Sequence, residues 1–328
     1  MPAYYQTGTT TDTHALMGII DIFLVNVLGW ENKQTNLWEK VDDNPADSYG
    51  RKTNYYISPS PVRYYFLTTG IDGDEIDYRT YISGGCLEGW SETGLGGVPH
   101  SYHDQIGYQY VFTSNEFEGP YTKYHLFGGQ EGVDGQYFYC VVETSAGLFN
   151  HFGLGQLDRI GSKTGSFAVS LYWSMSISYW RSVTNSHHQR MFDSHSSTYG
   201  GRGHLQYHQH TFAPETENYL FGYSSDHCYG GSVGGGGKQN GGINGAFVGD
   251  GPSAFNGRTM LMPNHILLDD GASWKRMVGI APAFRTVMIH NLQAEDIVDT
   301  DWMVFPIKAK NTTSGPNSGN YGWAYKFQ

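Results

Sequence analysis

At 328 residues the chain is long enough to bury roughly three quarters of its unfolded surface, so it needs neither disulfide nor metal to hold a core. Twenty Lys plus Arg against thirty-one Asp plus Glu leave a net charge of −11 spread along the sequence, which excludes nucleic acid and anionic membrane as expected partners. Charged residues make up only 16% of the chain while aromatics reach 15% and glycine 44 positions, a balance that predicts a β-rich protein with many turns and large contact surfaces.

The opening MPAYYQTGTTTDTH has no basic region followed by an apolar run, so folding in a cytoplasm is expected. The stretch DTHALMGIIDIFLVNVLGW carries the one helical period: Leu16, Ile19, Ile20, Phe23, Leu24, Val27 and Leu28 share a face. Asp12 or Thr13 can cap its start, and Gly29 stands where a C-terminal glycine belongs. Its apolar run is interrupted by Asp21 and Asn26 and is too short for a bilayer, so it predicts an amphipathic helix packed on a sheet.

Strand patterns dominate the rest. Arg63 to Thr69, an acidic turn and Ile76 to Ser83 predict a hairpin, with Ile76, Tyr78, Thr80 and Ile82 on one face. Further strands are expected at 107–114, 122–128, 136–144, 286–291, 301–309 and 322–327. In SFAVSLYWSMSISYW, Phe167, Val169, Leu171, Trp173, Met175, Ile177 and Tyr179 alternate with small residues, which predicts a long strand with one apolar and one smooth face, the latter at a subunit interface. Residues 181–258 lose periodicity. They contain six of the fourteen histidines within 187–210 and eleven glycines between Gly230 and Gly251, a tract that predicts a loop held by neighbours or a partner. The expected class is α+β, predominantly antiparallel β with one N-terminal amphipathic helix and long glycine-rich loops. Three segments are expected: 1–165, the helix and hairpins; 166–277, an elaborated insertion; and 278–328, strands that complete the fold.

Each motif that suggests chemistry has a plainer explanation. GGSVG offers Ser232 as a nucleophile, but a glycine tract follows where a nucleophile elbow needs a helix. The same tract fails as a phosphate loop, since Ser232 replaces its first glycine and Gln239 follows Lys238. Asp72, Asp74, Glu75 and Asp77 lack the glycine and glutamate of a calcium loop and read as a hairpin turn. Cys86, Cys140 and Cys228 are odd in number and far apart, which argues against a disulfide framework or a cysteine zinc site. His208 and His210 project from one face if extended, and a trimer would gather six imidazoles around a metal. No acid or cysteine accompanies them in HLQYHQH, so the cluster reads as a polar contact surface, with His208 and His210 the only metal candidates. No cofactor and no catalytic residue is expected.

Four stretches, taken in order, resemble a group of tailed-bacteriophage virion structural proteins. HALMGIIDIFLVNVLGW is similar to their opening helix, and YYFLTTGIDGDEIDYRTYISG to the strand, acidic turn and strand that follow. YHLFGGQEGVDGQYFYCVVETSAGLFNHFGLGQLDRIGSKTG resembles the central hairpins, with FGLGQLDRIG as a turn region holding Gly153, Gly155 and Gly161. DTDWMVFPIKAKNTTSGPNSGNYGWAYKF resembles the terminal strand pair, with Trp302, Phe305, Pro306, Gly322 and Ala324 in place. Residues 166–277 have no counterpart. The resemblance implies a component of a tail, baseplate or neck, located in the virion, that binds copies of itself and neighbouring virion proteins and has no turnover. Two other readings compete with it. One is an adhesin that stacks host glycans on Trp90, Trp173, Trp180 or the tyrosines of 179–229; the other is a virion-borne glycoside hydrolase using Glu88 and Glu92.

Overall fold

The computed structural model describes residues 2–38, 51–60, 62–72, 79–87, 89–91, 96–98, 121–145, 147–160, 166–170, 203–208, 219–222, 261–269, 275–289, 291–306 and 321–328. Among the described residues the fold is mostly antiparallel β with a single short N-terminal helix. Strand β1 (Tyr4–Thr10) leads into helix α1 (Thr13–Ile22), whose start is fixed by Asp12: its Oδ1 accepts from the Ala15 N–H at 2.8 Å. The helix continues as a π-helical turn, Phe23–Val27, closed by the Leu28 N–H donating to the Phe23 carbonyl at 3.1 Å. Gly29 then adopts φ +70°, a conformation costly for any residue with a Cβ, and the helix ends. Leu16, Met17, Ile20, Phe23, Leu24 and Leu28 are buried. Ile19 and Val27, expected on that face, are only half-buried; Val27 is turned away because the wider turn rotates the residues after Ile22 relative to a regular helix.

Four strands follow as a separate sheet in sequential order: β2 (Glu31–Trp38), β3 (Arg51–Ile57), β4 (Tyr64–Asp72) and β5 (Arg79–Leu87). A small ribbon, β6 (Gly89–Ser91) with β7 (Gly96–Val98), comes next. The expected hairpin is thus β4–β5, with Tyr64 opposite Leu87 and Asp72 opposite Arg79. Ile82 is buried as anticipated, while Ile76 and Tyr78 lie outside the described residues.

The centre is a meander of β8 (Tyr121–Glu131), β9 (Gly135–Ser145) and β10 (Leu148–Gln156). Beyond it come β11 (Asp158–Arg159), β12 (Ser166–Ser170), β13 (Gly203–His208), β14 (Tyr219–Gly222), β15 (Met262–Asp269) and β16 (Lys275–Met288). The last are β17 (Ile297–Val298), β18 (Trp302–Pro306) and β19 (Tyr321–Lys326). Among the described residues these join β1 in one sheet of thirteen strands, ordered β1-β8-β9-β10-β12-β13-β14-β15-β16-β19-β18-β17, with β11 beside β16. Strands from all three sequence segments therefore share one hydrogen-bonded sheet. The predicted 167–179 strand is seen as β12, flanked on both sides by strands of its own chain with Phe167 in the core; residues 171–179 lie outside the described residues.

The two halves of this sheet face each other. Phe127, Tyr137, Tyr139, Val141, Phe149 and Phe167 of the central strands pack against Phe284, Phe305, Trp323 and Tyr325 of β16, β18 and β19. The opposite face of the same central strands, with Leu126, Phe138, Cys140, Val142, Phe152 and Leu154, is covered by α1 and by Tyr56, Tyr65, Leu67 and Ile82 of the four-stranded sheet. Burial on both faces explains why YFYCVV in β9 is continuously apolar rather than alternating. Each large side chain removed from water here contributes about 1.5–3 kcal/mol.

The glycines of FGLGQ, expected in a turn, instead sit inside strand β10. A Cβ on Gly153 would lie 2.2 Å from the Tyr139 ring, and one on Gly155 would lie 2.9 Å from that of Phe167. Their role is to let two aromatic rings, stacked on each other at 5.8 Å, lie flat on the sheet.

Candidate functional site

The first and last parts of the chain meet at one seam. On β1, Tyr5 lies opposite Phe127 of β8, and its ring touches Phe127 at 5.1 Å and Phe327 edge-on at 5.9 Å. Its hydroxyl is 2.9 Å from Nδ1 of His125, a fully buried side chain whose ring meets Phe305 of β18 at 4.8 Å. The other ring nitrogen, Nε2, has no hydrogen-bond partner and faces the Glu295 carboxylate, whose Oε1 is 3.8 Å away. Glu295 is held by its backbone: at φ +69° its N–H donates to the Val304 carbonyl at 2.8 Å, and its carboxylate pairs with Lys123. Both ends of that ion pair are about one-third exposed, so it contributes little to stability. Burial, then the nearby Lys123 charge and then His151, push the His125 imidazole down to about pKa 3, so it is neutral near pH 7.

His151 is settled differently. Its Nε2 lies 2.9 Å from the Pro306 carbonyl, which can only accept, so Nε2 carries the hydrogen. Nδ1 then accepts from the Tyr325 hydroxyl at 2.9 Å. Both ring nitrogens are used, and the imidazole ties β10 to β18 and β19 across the core.

Two further polar joints hold the layers together. Asp21 Oδ1 accepts from Asn32 Nδ2 at 2.8 Å, Asn54 Nδ2 at 3.1 Å and the Tyr56 hydroxyl at 2.9 Å, fastening α1 to β2 and β3. Glu131 receives Arg285 at 2.9 Å through Oε1 and the Ala283 N–H through Oε2. Ala283 has φ +51°, so Glu131 anchors a kink in β16, and the Arg285 guanidinium lies 4.7 Å over the Trp302 ring.

Beside the seam runs the outer edge of β1. Toward β8 the strand is well fastened: Thr7 Oγ1 donates to the Tyr124 carbonyl at 2.8 Å, and Gln6 Nε2 donates to the Tyr124 hydroxyl at 3.3 Å. On its other side no described strand pairs with it, and Thr7 and Thr9 are exposed.

Of the residues singled out in the sequence, only some are described. His208 ends β13, with its backbone opposite Ser166, and His210 lies outside the described residues. Trp90 is in β6 opposite Gly97; Glu88, Glu92, Trp173, Trp180 and Ser232 lie outside the described residues. Asp72 closes β4, and Asp74, Glu75 and Asp77 are outside as well. Cys140 is a buried free thiol, pushed up by burial; Cys86 lies in β5 opposite Tyr65, and Cys228 is outside. Among the described residues no group of three or more His, Cys, Asp or Glu could hold a metal ion, and no helix is long and apolar enough to cross a membrane. The histidines that the structure does bring together, His125 and His151, escaped attention because they are solitary in sequence. Their signal was local: YHLF and NHFG place each among aromatic and aliphatic strand residues, the setting of a hydrogen-bonded core histidine.

Fold and seam together define a layered, mainly antiparallel β protein whose first and last strands close on one another. Compared with known proteins, the chain matches no family model and no curated protein.

Proposed function

We propose that this chain is a structural subunit of a tailed-bacteriophage particle, in its tail, baseplate or neck, made in the bacterial cytoplasm and acting by binding copies of itself and neighbouring virion proteins without turnover. The observation that carries this reading is the order of the four stretches that resemble that family, together with their place in the fold. They supply α1, the β4–β5 hairpin, the β8–β10 meander and the β18–β19 pair, which contribute most of the residues of both cores. The family-like sequence thus makes up most of the packed frame, in keeping with a structural role. A low share of charged residues and abundant aromatics further suit broad protein–protein contact.

The test is direct. Particles of the phage that encodes the chain are purified, separated on a gel and analysed by mass spectrometry, and an antibody to the full chain is located on them by electron microscopy. The chain is expected in stoichiometric amounts at the tail, baseplate or neck. Its absence from washed particles would refute the proposal, and release of reducing ends from host polysaccharide, abolished by Glu88→Gln, would replace it with a hydrolase.

A further inference from the structure

We propose that the free edge of β1 docks a second copy of this chain, β1 pairing antiparallel with its counterpart about a two-fold axis so that two sheets continue as one. The inference deepens the assembly reading above and rests on it.

Three observations converge on this strand. Among the described residues strand β1 ends its sheet, bonded on one side to β8, and its other side presents a row of main-chain donors and acceptors along seven residues, about 23 Å. Such an edge invites another strand unless charge, proline or a cover prevents it. The edge strand of the four-stranded sheet, β2, has such protection in Glu31 and Lys33, paired at 2.7 Å. YYQTGTT has none: it contains no charged residue and no proline.

Second, its lack of charge favours a copy over an arbitrary partner. Each copy carries a net charge of −11, so two copies repel unless they meet where neither is charged. β1 is such a place.

Third, the strand is complementary to itself. Centred on Thr7, an antiparallel pairing sets Thr7 against Thr7, Gln6 against Gly8, Tyr5 against Thr9 and Tyr4 against Thr10. Threonine–threonine and aromatic–β-branched pairs are favourable across strands, and glycine leaves room for the longer glutamine. The register slip in the β1–β8 ladder does not disturb this, because the additional residue lies on β8, between Tyr121 and Tyr124.

The experiment uses the full chain. Light scattering and sedimentation should give twice the chain mass for the natural sequence. They should give a single mass for Thr7→Lys with Thr9→Lys, whose circular dichroism remains unchanged. In a background with Cys86 and Cys228 replaced by serine, Thr7→Cys should link two chains under mild oxidation while Thr9→Cys, which faces Tyr5, should not. This cysteine arm decides alone if the lysine variant fails to fold. A monomeric natural chain, or a natively folded lysine variant that still dimerises, would overturn the proposal, as would a Thr9→Cys link as efficient as that of Thr7→Cys. In particles, a Thr7→Cys link to a different virion protein would overturn the second copy as occupant while leaving the particle reading intact. A Thr7→Cys dimer formed by a chain absent from particles would support the edge and refute the particle reading.

Discussion

His125 provides a sharp test of how the seam holds. Replacing it with phenylalanine keeps an aromatic ring against Phe127 and Phe305 but removes the titrating group. In the folded chain the imidazole is held down to about pKa 3, whereas in the unfolded chain it titrates near 6.5. The unfolded state therefore binds the proton first as pH falls. Stability contributed by neutral His125 is fully present above about pH 6.5 and is lost as pH drops toward 3. Between pH 7.5 and 4.5 the loss amounts to about 2–3 kcal/mol. Glu295 lies close enough to pair with an imidazolium, which makes this an upper value. Urea unfolding of both proteins across this range gives the difference directly, because every other histidine, including the half-buried His14, is common to the two. The natural chain should lose its advantage over His125→Phe as the solution is acidified. Parallel stability–pH curves for the two proteins would mean that His125 titrates alike in the folded and unfolded chains, as a solvated imidazole does, and the buried seam would be wrong.

Gly153→Ala should lower stability by about 1–3 kcal/mol in urea, since its methyl group would lie 2.2 Å from the Tyr139 ring, and a second substitution of Tyr139 by leucine should recover part of the loss. Glu131→Ala should cost about 2 kcal/mol by thermal melting, mainly from the Ala283 N–H; Arg285 keeps the Ala281 and Phe284 carbonyls and the Trp302 ring. Cys140, fully buried, should resist a thiol reagent in the native protein and react at once in urea, as counted by mass spectrometry on a peptide digest.

Local features were readable from the sequence. Asp12, the 3.6-residue period and Gly29 mark the helix because capping and amphipathicity are set by neighbours in the chain. The β8–β9 hairpin and the β18–β19 pair likewise announce themselves through apolar strand residues. Strand β1 was missed because YYQTGTT has only two large side chains, and what makes it a strand is β8, more than a hundred residues away. The FGLGQ glycines looked like a turn because the rings they accommodate, Tyr139 and Phe167, come from neighbouring strands. The π turn is equally silent, so the buried face drifted from the one a regular helix gives. Closure of one half of the sheet over the other, face to face, is a matter of long-range contact, which no window of sequence contains.

That closure sets a clock on the chain's birth. The Tyr5 hydroxyl meets a histidine 120 positions downstream. At about 5–20 residues per second, a ribosome needs about 6 to 24 s to make the strand that β1 requires. Throughout that interval the uncharged β1 does not yet have β8 to pair with, and the Phe327 ring that closes over Tyr5 lies a further 200 positions beyond Phe127. Late-closing maturation is therefore built into the topology.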